Sequence, residues 1–295
     1  MSRSHQFQQS LIQIIKHNKD GSFKTQADRA KSLKQSVNAL YAAGYQLEHV
    51  KYIKQRHVKY LVDHWLNEEK LGAGSIKNRM SHLRWLMQKL NKPNLIPSND
   101  KLNIPKRVYI TSQDKSRELT NDDLAKIPDD YMQMSLQAQK LFGLRMEESL
   151  KIQPFVADKG DQLFIKGSWA KGGKDRYIPI LTIEQRQWLD DCKVLVKFKS
   201  HSLIPADTSF KTYYERFRKR CTRAGIDSRH GLRHAYAQQR YQKITGMLCF
   251  IKGGLSRKIM SDEQRMLDEK ARMQISLELG HGRKQITSLY IGNLS

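Results

Sequence analysis

The chain has 295 residues and a formal net charge of +24, with 53 Lys and Arg against 29 Asp and Glu. Such a charge favours a polyanionic partner, nucleic acid being the commonest, over a merely soluble basic protein. We expect no membrane association, because no signal-peptide core, lipidation motif or membrane-spanning apolar run is seen, and three scattered cysteines without a C-x-x-C pair fit a reducing cytosol.

Residues 1–91 are predicted to form a compact helical domain. Apolar residues recur with helical spacing over 27–45, 58–66 and 76–90. Ser75 is predicted to cap the third of these helices, and Gly44 to end the first.

Basic residues lie off the apolar stripes of the predicted helices and on the connection that follows them. About half are expected to be simply solvated, and the rest to meet DNA phosphates without reading sequence. The candidates for phosphate contacts are Lys77, Arg79, Arg84, Lys106, Arg107, Lys211 and Arg218.

The helical periodicity fails over residues 92–117, where Pro93, Pro97 and Pro105 mark an extended connection. We predict that this stretch is an interdomain linker and that 118–295 is a second domain. Thr120 and Asp123 have the spacing of a capping box that would open its first helix.

The second domain is predicted to be mostly α with one small β-hairpin. A period-two pattern over 163–180 flanks Lys171-Gly172-Gly173-Lys174, which predicts a glycine turn with lysines at its tip. Further helices are predicted after capping boxes at Thr182 and Ser261.

The end of the chain places His281 nine residues before Tyr290. A tyrosine in a short amphipathic segment is more often a packing residue than a nucleophile, so this pair alone is weak. Its meaning depends on partners elsewhere in the chain.

Four segments supply such partners: Gly143-Leu144-Arg145-Met146-Glu147-Glu148, Ala170–Pro179, His230-Gly231-Leu232-Arg233-His234, and Leu279-Gly280-His281 with Tyr290. In their order along the chain and in their residues, these segments resemble the catalytic domain of the tyrosine recombinase (phage integrase) family, over about 120–295. The helical first domain is similar in type to that family's SAM-like core-binding domain. The resemblance therefore implies a mixed α/β catalytic domain after it.

The resemblance implies metal-independent DNA strand cleavage by Tyr290, through a 3′-phosphotyrosyl intermediate and without a cofactor. Arg145 and Arg233 match the family's phosphate-binding arginines, and two guanidinium forks suit the negative charge of the transition state. His230 and His281 match the family's two histidines, one a proton acceptor or phosphate ligand and the other a donor to the phosphate.

The proton donor to the leaving 5′-oxygen is implied to be Lys171, with Lys174 as the local rival. Glu148 is expected to orient Arg145 by a buried ion pair, against the alternative of an exposed helix carboxylate. His234 is expected to have a structural role. The acidic pairs do not suggest a metal site, so none is predicted.

The function that follows is a site-specific DNA recombinase or integrase of a mobile genetic element, located in the cytoplasm with the nucleoid. Its expected partner is double-stranded DNA, bound as a homotetramer on paired sites, with possible DNA-bending accessory factors. The alternatives are a type IB topoisomerase, which shares the phosphotyrosine chemistry, and an inactive DNA-binding regulator.

Two departures from the family pattern concern the end of the chain. Residues 245–279, an irregular stretch and a long helix, are longer than in compact members, and only five residues follow Tyr290. We therefore predict that 245–270 provides a contact between protomers in place of a C-terminal tail.

Overall fold

A computed structural model describes residues 2–107, 113–170, 172–226 and 230–292. The chain divides into two compact units, Met1–Val108 and Tyr109–Ser295. Within the described ranges, no helix is long and apolar enough to cross a bilayer.

The first unit is built from four α-helices around one apolar core. Their bounds are α1 Arg3–His17, α2 Phe23–Ala42, α3 Gln55–Asp63 and α4 Ala73–Lys89. Trp65, in the π-helical turn that extends α3, is fully buried in this core with Leu33 and Met80. The all-helical prediction for this part of the chain is confirmed.

Helix α4 begins earlier than the sequence predicted. Gly72, not Ser75, is its N-cap, because Gly72 already has the extended backbone of a cap and the helix continues from Ala73. The prediction of a Ser75 cap was wrong, and Ser75 is the third residue of the helix.

The predicted linker is shared between the two units where it is described. Ile96, Leu102 and Ile104 join the core of the first unit, and Arg84 donates to the Pro97 carbonyl at 2.8 Å. Arg117 lies instead in the second unit, where its backbone N–H donates to the Gly231 carbonyl at 3.1 Å. The two ends of the stretch are therefore packed segments.

Over its described residues, the second unit is helical with one two-stranded antiparallel sheet, as predicted. Its helices are α5 Asn121–Ala125, α6 Asp130–Phe142, α7 Met146–Lys151, α8 Pro154–Ala157, α9 Ile183–Val196, α10 Phe210–Arg223, α11 His230–Thr245, α12 Asp262–Glu278 and α13 Lys284–Ile291. Strands β1 Gln162–Ile165 and β2 Arg176–Pro179 pair with Leu163 opposite Ile178. The predicted capping boxes at Thr120, Thr182 and Ser261 all form.

Helix α11 is the central element of the second unit. It packs against α6, α12 and α13, so that residues far apart in sequence meet along it. The irregular stretch between α11 and α12 contains two short 3-10 turns, Phe250–Lys252 and Arg257–Ile259. The first of these turns packs against the end of α13, where Phe250 and Ile251 lie close to Gly292.

Candidate active site

Arg145 is placed by the junction of α6 and α7. Gly143 ends α6 in the left-handed conformation, with φ of 61°, and Arg145 is the N-cap of α7. Glu148, in the first turn of α7, accepts the Arg145 backbone N–H at 2.8 Å and its Nη1 at 2.7 Å. The expected Arg145–Glu148 ion pair therefore forms, and Glu148 is fully buried.

Arg233, on α11, lies at the centre of the cluster and is almost completely buried. It donates to the carbonyl oxygens of Gly143 and Leu279, and its Nε donates to the Tyr290 hydroxyl at 3.2 Å. Burial lowers its pKa to about 10, which leaves the guanidinium charged at neutral pH. One arginine thus joins the ends of α6 and α12 to the tyrosine of α13.

The Tyr290 hydroxyl is held between Arg233 and His281, whose Nε2 lies 3.0 Å from it. Arg233 Nη2 also approaches His281 Nε2, at 3.2 Å. A guanidinium only donates, so His281 Nε2 must carry its lone pair, and the ring proton is then on Nδ1. The phenol accordingly donates to His281 and accepts from Arg233.

His281 is poised as a neutral base. Burial, followed by the positive charges of Arg233 and Arg145, lowers its pKa to about 3. Its imidazole is therefore unprotonated at physiological pH, and its Nε2 can accept the hydrogen bond of the Tyr290 hydroxyl.

His230 and His234 line the other side of the Tyr290 ring. The His234 ring meets it edge-on with centroids 4.8 Å apart, and the His230 ring is 5.9 Å away. Burial, followed by the charge of Arg233, lowers the pKa of His230, the first residue of α11, to about 4. The packing of His234 against the phenol ring agrees with the structural role expected for it.

The segment between β1 and β2 contains the two candidate lysines. Lys171 lies outside the described residues, and Lys174 is exposed in the turn. The turn is closed by the Gly167 N–H, which donates to Asp175 Oδ1 at 2.6 Å.

Arg176 belongs to the site although the sequence did not single it out. It opens β2, is buried, and donates from Nη2 to Glu148 Oε2 at 2.7 Å. The period-two pattern could have indicated it, because Arg176 and Ile178 are buried while Tyr177 between them is exposed. An arginine on the buried face of a strand needs an acidic partner.

Helix α13 is also held by residues of α11 and α12 other than Arg233. Arg272 pairs with the fully buried Asp268 at 2.9 Å and donates from Nη1 to the Gly292 carbonyl at 3.1 Å. Gln238 donates to the Tyr290 carbonyl at 3.2 Å. These contacts fix the backbone on which the phenol is carried, and the sequence had not indicated them.

The predicted DNA contacts are distributed over both units. Arg79 pairs with Glu69 at 2.8 Å, and Arg84 donates to Pro97 and Asn99, so both side chains make contacts within their own unit. The side chains of Lys106, Arg107, Lys211 and Arg218 are exposed, and that of Lys77 is half-buried. Arg218 lies 3.7 Å from Glu215.

Among the described residues, no group of three or more His, Cys, Asp or Glu side chains converges as metal ligands would. The acidic group closest to the site, Glu148, accepts hydrogen bonds from Arg145 and Arg176. Its carboxylate therefore pairs with the guanidinium groups of two arginines.

Family models match both units. A phage integrase N-terminal model matches residues 4–95, and an integrase model matches residues 112–239. The chain belongs to the tyrosine recombinase (phage integrase) family. The integrase match includes Arg145 and Arg233 but ends before His281 and Tyr290, which the fold itself brings to Arg233.

Solved recombinases have the same fold. A lambda integrase (75-356) dimer bound to a COC' core site is 17% identical with a TM-score of 0.59, over 94% of this chain and 91% of that one. The XerH site-specific recombinase bound to difH is 16% identical with a TM-score of 0.56, over 96% and 80%. The Tn1549 transposon integrase is 12% identical with a TM-score of 0.54, over 100% and 96%. Curated protein sequences gave no match.

Proposed function

We propose that this tyrosine recombinase is a site-specific DNA recombinase that cleaves and rejoins strands through a 3′-phosphotyrosyl bond at Tyr290. The observation that carries the proposal is the double hydrogen bond of the phenol, which accepts from Arg233 and donates to His281. A nucleophile needs a base within hydrogen-bond reach and a cation at the reacting phosphate, and both are present at one oxygen.

In the cleavage step, Tyr290 Oη attacks the scissile phosphorus while its proton passes to His281 Nε2. The bond from phosphorus to the 5′-oxygen breaks, and that oxygen takes a proton, which we assign to Lys171. The products are a 3′-phosphotyrosyl bond and a free 5′-hydroxyl, so the energy of the phosphodiester is retained. Rejoining is the reverse reaction with another 5′-hydroxyl, and it needs no nucleotide cofactor.

The two arginines are proposed to bind the non-bridging oxygens as negative charge develops on them. Arg145 has a partly exposed guanidinium held by Glu148, which supports this role. Arg233 donates to the phenol oxygen, which supports its proposed role of holding the attacking oxygen beside the phosphate. His230, exposed beside the phenol ring, is proposed as the second phosphate ligand.

The proposed partner is double-stranded DNA, bound through the basic side chains of both units. Lambda integrase, which has the same fold, is described as a dimer bound to a core site and as a tetramer bound to a Holliday junction. We propose a homotetramer on paired sites for this chain, while accessory DNA-bending factors and nucleoid association stay predictions. Residues 245–270 remain our candidate for a protomer contact, since Leu248 and Ile259 there are exposed.

The experiment that tests this function is strand exchange between two labelled duplexes that carry the sequences flanking the coding region. Recombination predicts products with exchanged flanks. Relaxation of supercoiled plasmid without any exchanged product would support a topoisomerase instead. Binding without either activity would support an inactive regulator.

A further inference from the structure

Arg176 makes three hydrogen bonds, to two residues, from a buried position on β2. Its Nη1 and Nη2 donate to the two oxygens of Glu148, at 3.3 and 2.7 Å. Its Nε donates to the carbonyl oxygen of Glu278, the last residue of α12, at 2.9 Å. All three guanidinium nitrogens are thus hydrogen-bonded. The pair of bonds to Glu148 is bidentate, a geometry that arginine provides and lysine does not.

The Glu148 carboxylate is shared between Arg145 and Arg176. Each oxygen accepts one bond from each arginine: Oε1 from Arg145 Nη1 and Arg176 Nη1, Oε2 from the Arg145 backbone and Arg176 Nη2. Burial would raise the pKa of Glu148, but the three nearby arginines, Arg176 first, hold it at about 2. The orientation of Arg145 therefore depends on how Arg176 holds the carboxylate between them.

The contact with α12 extends the influence of Arg176 to the other side of the site. Gly280, two residues beyond Glu278, has φ of +71° and lies directly against the Arg176 side chain, where an added Cβ would come within 3.2 Å of Cδ. The next residue is His281, which binds the Tyr290 hydroxyl. Arg176 thus contacts Glu148, which binds Arg145, and Gly280, which directly precedes His281.

We propose that Arg176 is a positioning residue that sets Arg145 for the scissile phosphate, a role that rests on the function proposed above. Glu148 needs four donors, and Arg176 supplies two of them. Without Arg176, the carboxylate draws the Arg145 guanidinium inward to replace the lost donors. Arg145 then has fewer N–H groups for the non-bridging oxygens, where charge develops in the transition state.

The test compares two nicked suicide duplexes that differ only at the scissile position, one with the natural phosphate and one with a neutral methylphosphonate. The methylphosphonate lacks one non-bridging charge, so its cleavage depends less on Arg145. For Arg176→Met we expect cleavage of the phosphate duplex to slow by about 10- to 100-fold relative to the wild type. Cleavage of the methylphosphonate duplex should slow by a factor that is about 10 times smaller. Equal losses on the two substrates would overturn the proposal.

The matched control is Arg240→Met. Arg240 also pairs bidentately with a carboxylate at the end of α12, that of Glu278, at 3.0 to 3.1 Å, but the structure gives it no bond to Glu148. Its removal should lower both cleavage rates by the same factor, as a purely structural defect does. Should Arg176→Met fail to fold, Arg176→Lys retains the charge without the fork, and the same difference between substrates is expected.

A second measurement does not depend on activity. The side-chain Nε–Hε resonance of Arg145 in the DNA-free protein should move in Arg176→Met and stay in place in Arg240→Met. An unmoved Arg145 resonance in Arg176→Met would overturn the positioning role. If the wild-type protein became attached to neither duplex, the proposed function would fail, and this resonance would still decide the role of Arg176.

Discussion

The Tyr290 hydroxyl donates a hydrogen bond to His281 Nε2, 3.0 Å away, and accepts one from Arg233 Nε at 3.2 Å. These three side chains come from the end of α13, the turn after α12 and the start of α11. The phenol therefore contacts a neutral imidazole and a cation at one oxygen. The proposed chemistry requires both groups at that oxygen.

His281 is predicted to be the proton acceptor. Replacement of His281 by Ala removes the acceptor from Tyr290 and should slow single-turnover cleavage of a suicide duplex by about 100-fold or more. DNA binding, followed by gel shift, should change little. His230→Ala is the comparison, because the His230 ring lies beside that of Tyr290, at 5.9 Å between centroids, whereas His281 is hydrogen-bonded to the phenol. A larger pH-dependent loss in His230→Ala than in His281→Ala would reverse the assignment.

The buried histidines also predict how stability depends on pH. His281 and His234 have pKa values lowered from 6.5 to about 3 and about 4, chiefly by burial. Below about pH 6.5 the unfolded chain binds protons that the folded chain does not, so the free energy of unfolding should fall as the pH is lowered towards 4. The pKa of Glu148 falls from 4.5 to about 2 on folding, so this carboxylate adds its own loss of stability mainly below about pH 4.5.

Urea unfolding at about pH 7.5 and about pH 5 measures this effect. His281→Asn should show a smaller difference between the two pH values than the wild type. A free energy of unfolding that is equal at both pH values in the wild type would contradict the burial of neutral histidines.

Gly143 is predicted to be intolerant of any side chain. It has φ of +61°, and an added Cβ would lie 2.6 Å from the Tyr236 ring. Gly143→Ala should therefore lower the free energy of unfolding by about 1–3 kcal/mol and weaken the carbonyl contact to Arg233. Gly160→Ala separates backbone strain from the steric clash. Gly160 also has a positive φ, of +76°, but no atom lies within 4 Å of its Cβ position. Equal losses at both glycines would show that backbone strain alone accounts for the effect.

Much of the fold could be predicted because its signals are local. Capping boxes at Thr120, Thr182 and Ser261 need residues only three apart, and the hairpin needs a short alternating pattern around a glycine turn. The start of α4 was predicted wrongly, because a serine inside a helix has the same sequence signature as a serine at its cap.

Only part of the candidate site could be predicted, because only some of its residues have a local sequence signal. Recognisable sequence motifs contain Arg145, Arg233 and Tyr290. The fold brings Arg233 to Tyr290. The partners that hold them, such as Arg176 and Gln238, are specified by contacts across many residues of sequence. No local spacing encodes such a pair, and only the alternation of buried and exposed residues in β2 hinted at Arg176.

Lys171 is predicted to protonate the leaving 5′-oxygen. Lys171→Ala should slow cleavage of a normal duplex by about 100-fold or more. A duplex with a bridging 5′-sulfur should restore the rate to within about 10-fold, because a thiolate leaves without a proton donor. Lys174→Ala is the matched control in the same turn, and it should cleave both duplexes alike. If Lys174→Ala showed the rescue and Lys171→Ala did not, the two roles would be exchanged.

The central claim is that Tyr290 is the nucleophile of a DNA strand-cleavage site. The most direct measurement is covalent attachment to a suicide duplex nicked near the cleavage position, in EDTA and without added metal. The wild type and Tyr177→Phe, which alters an exposed tyrosine of the hairpin, should both become attached. Tyr290→Phe should not. Attachment that persists in Tyr290→Phe would contradict the account, and so would attachment of the wild type only when a divalent metal is added.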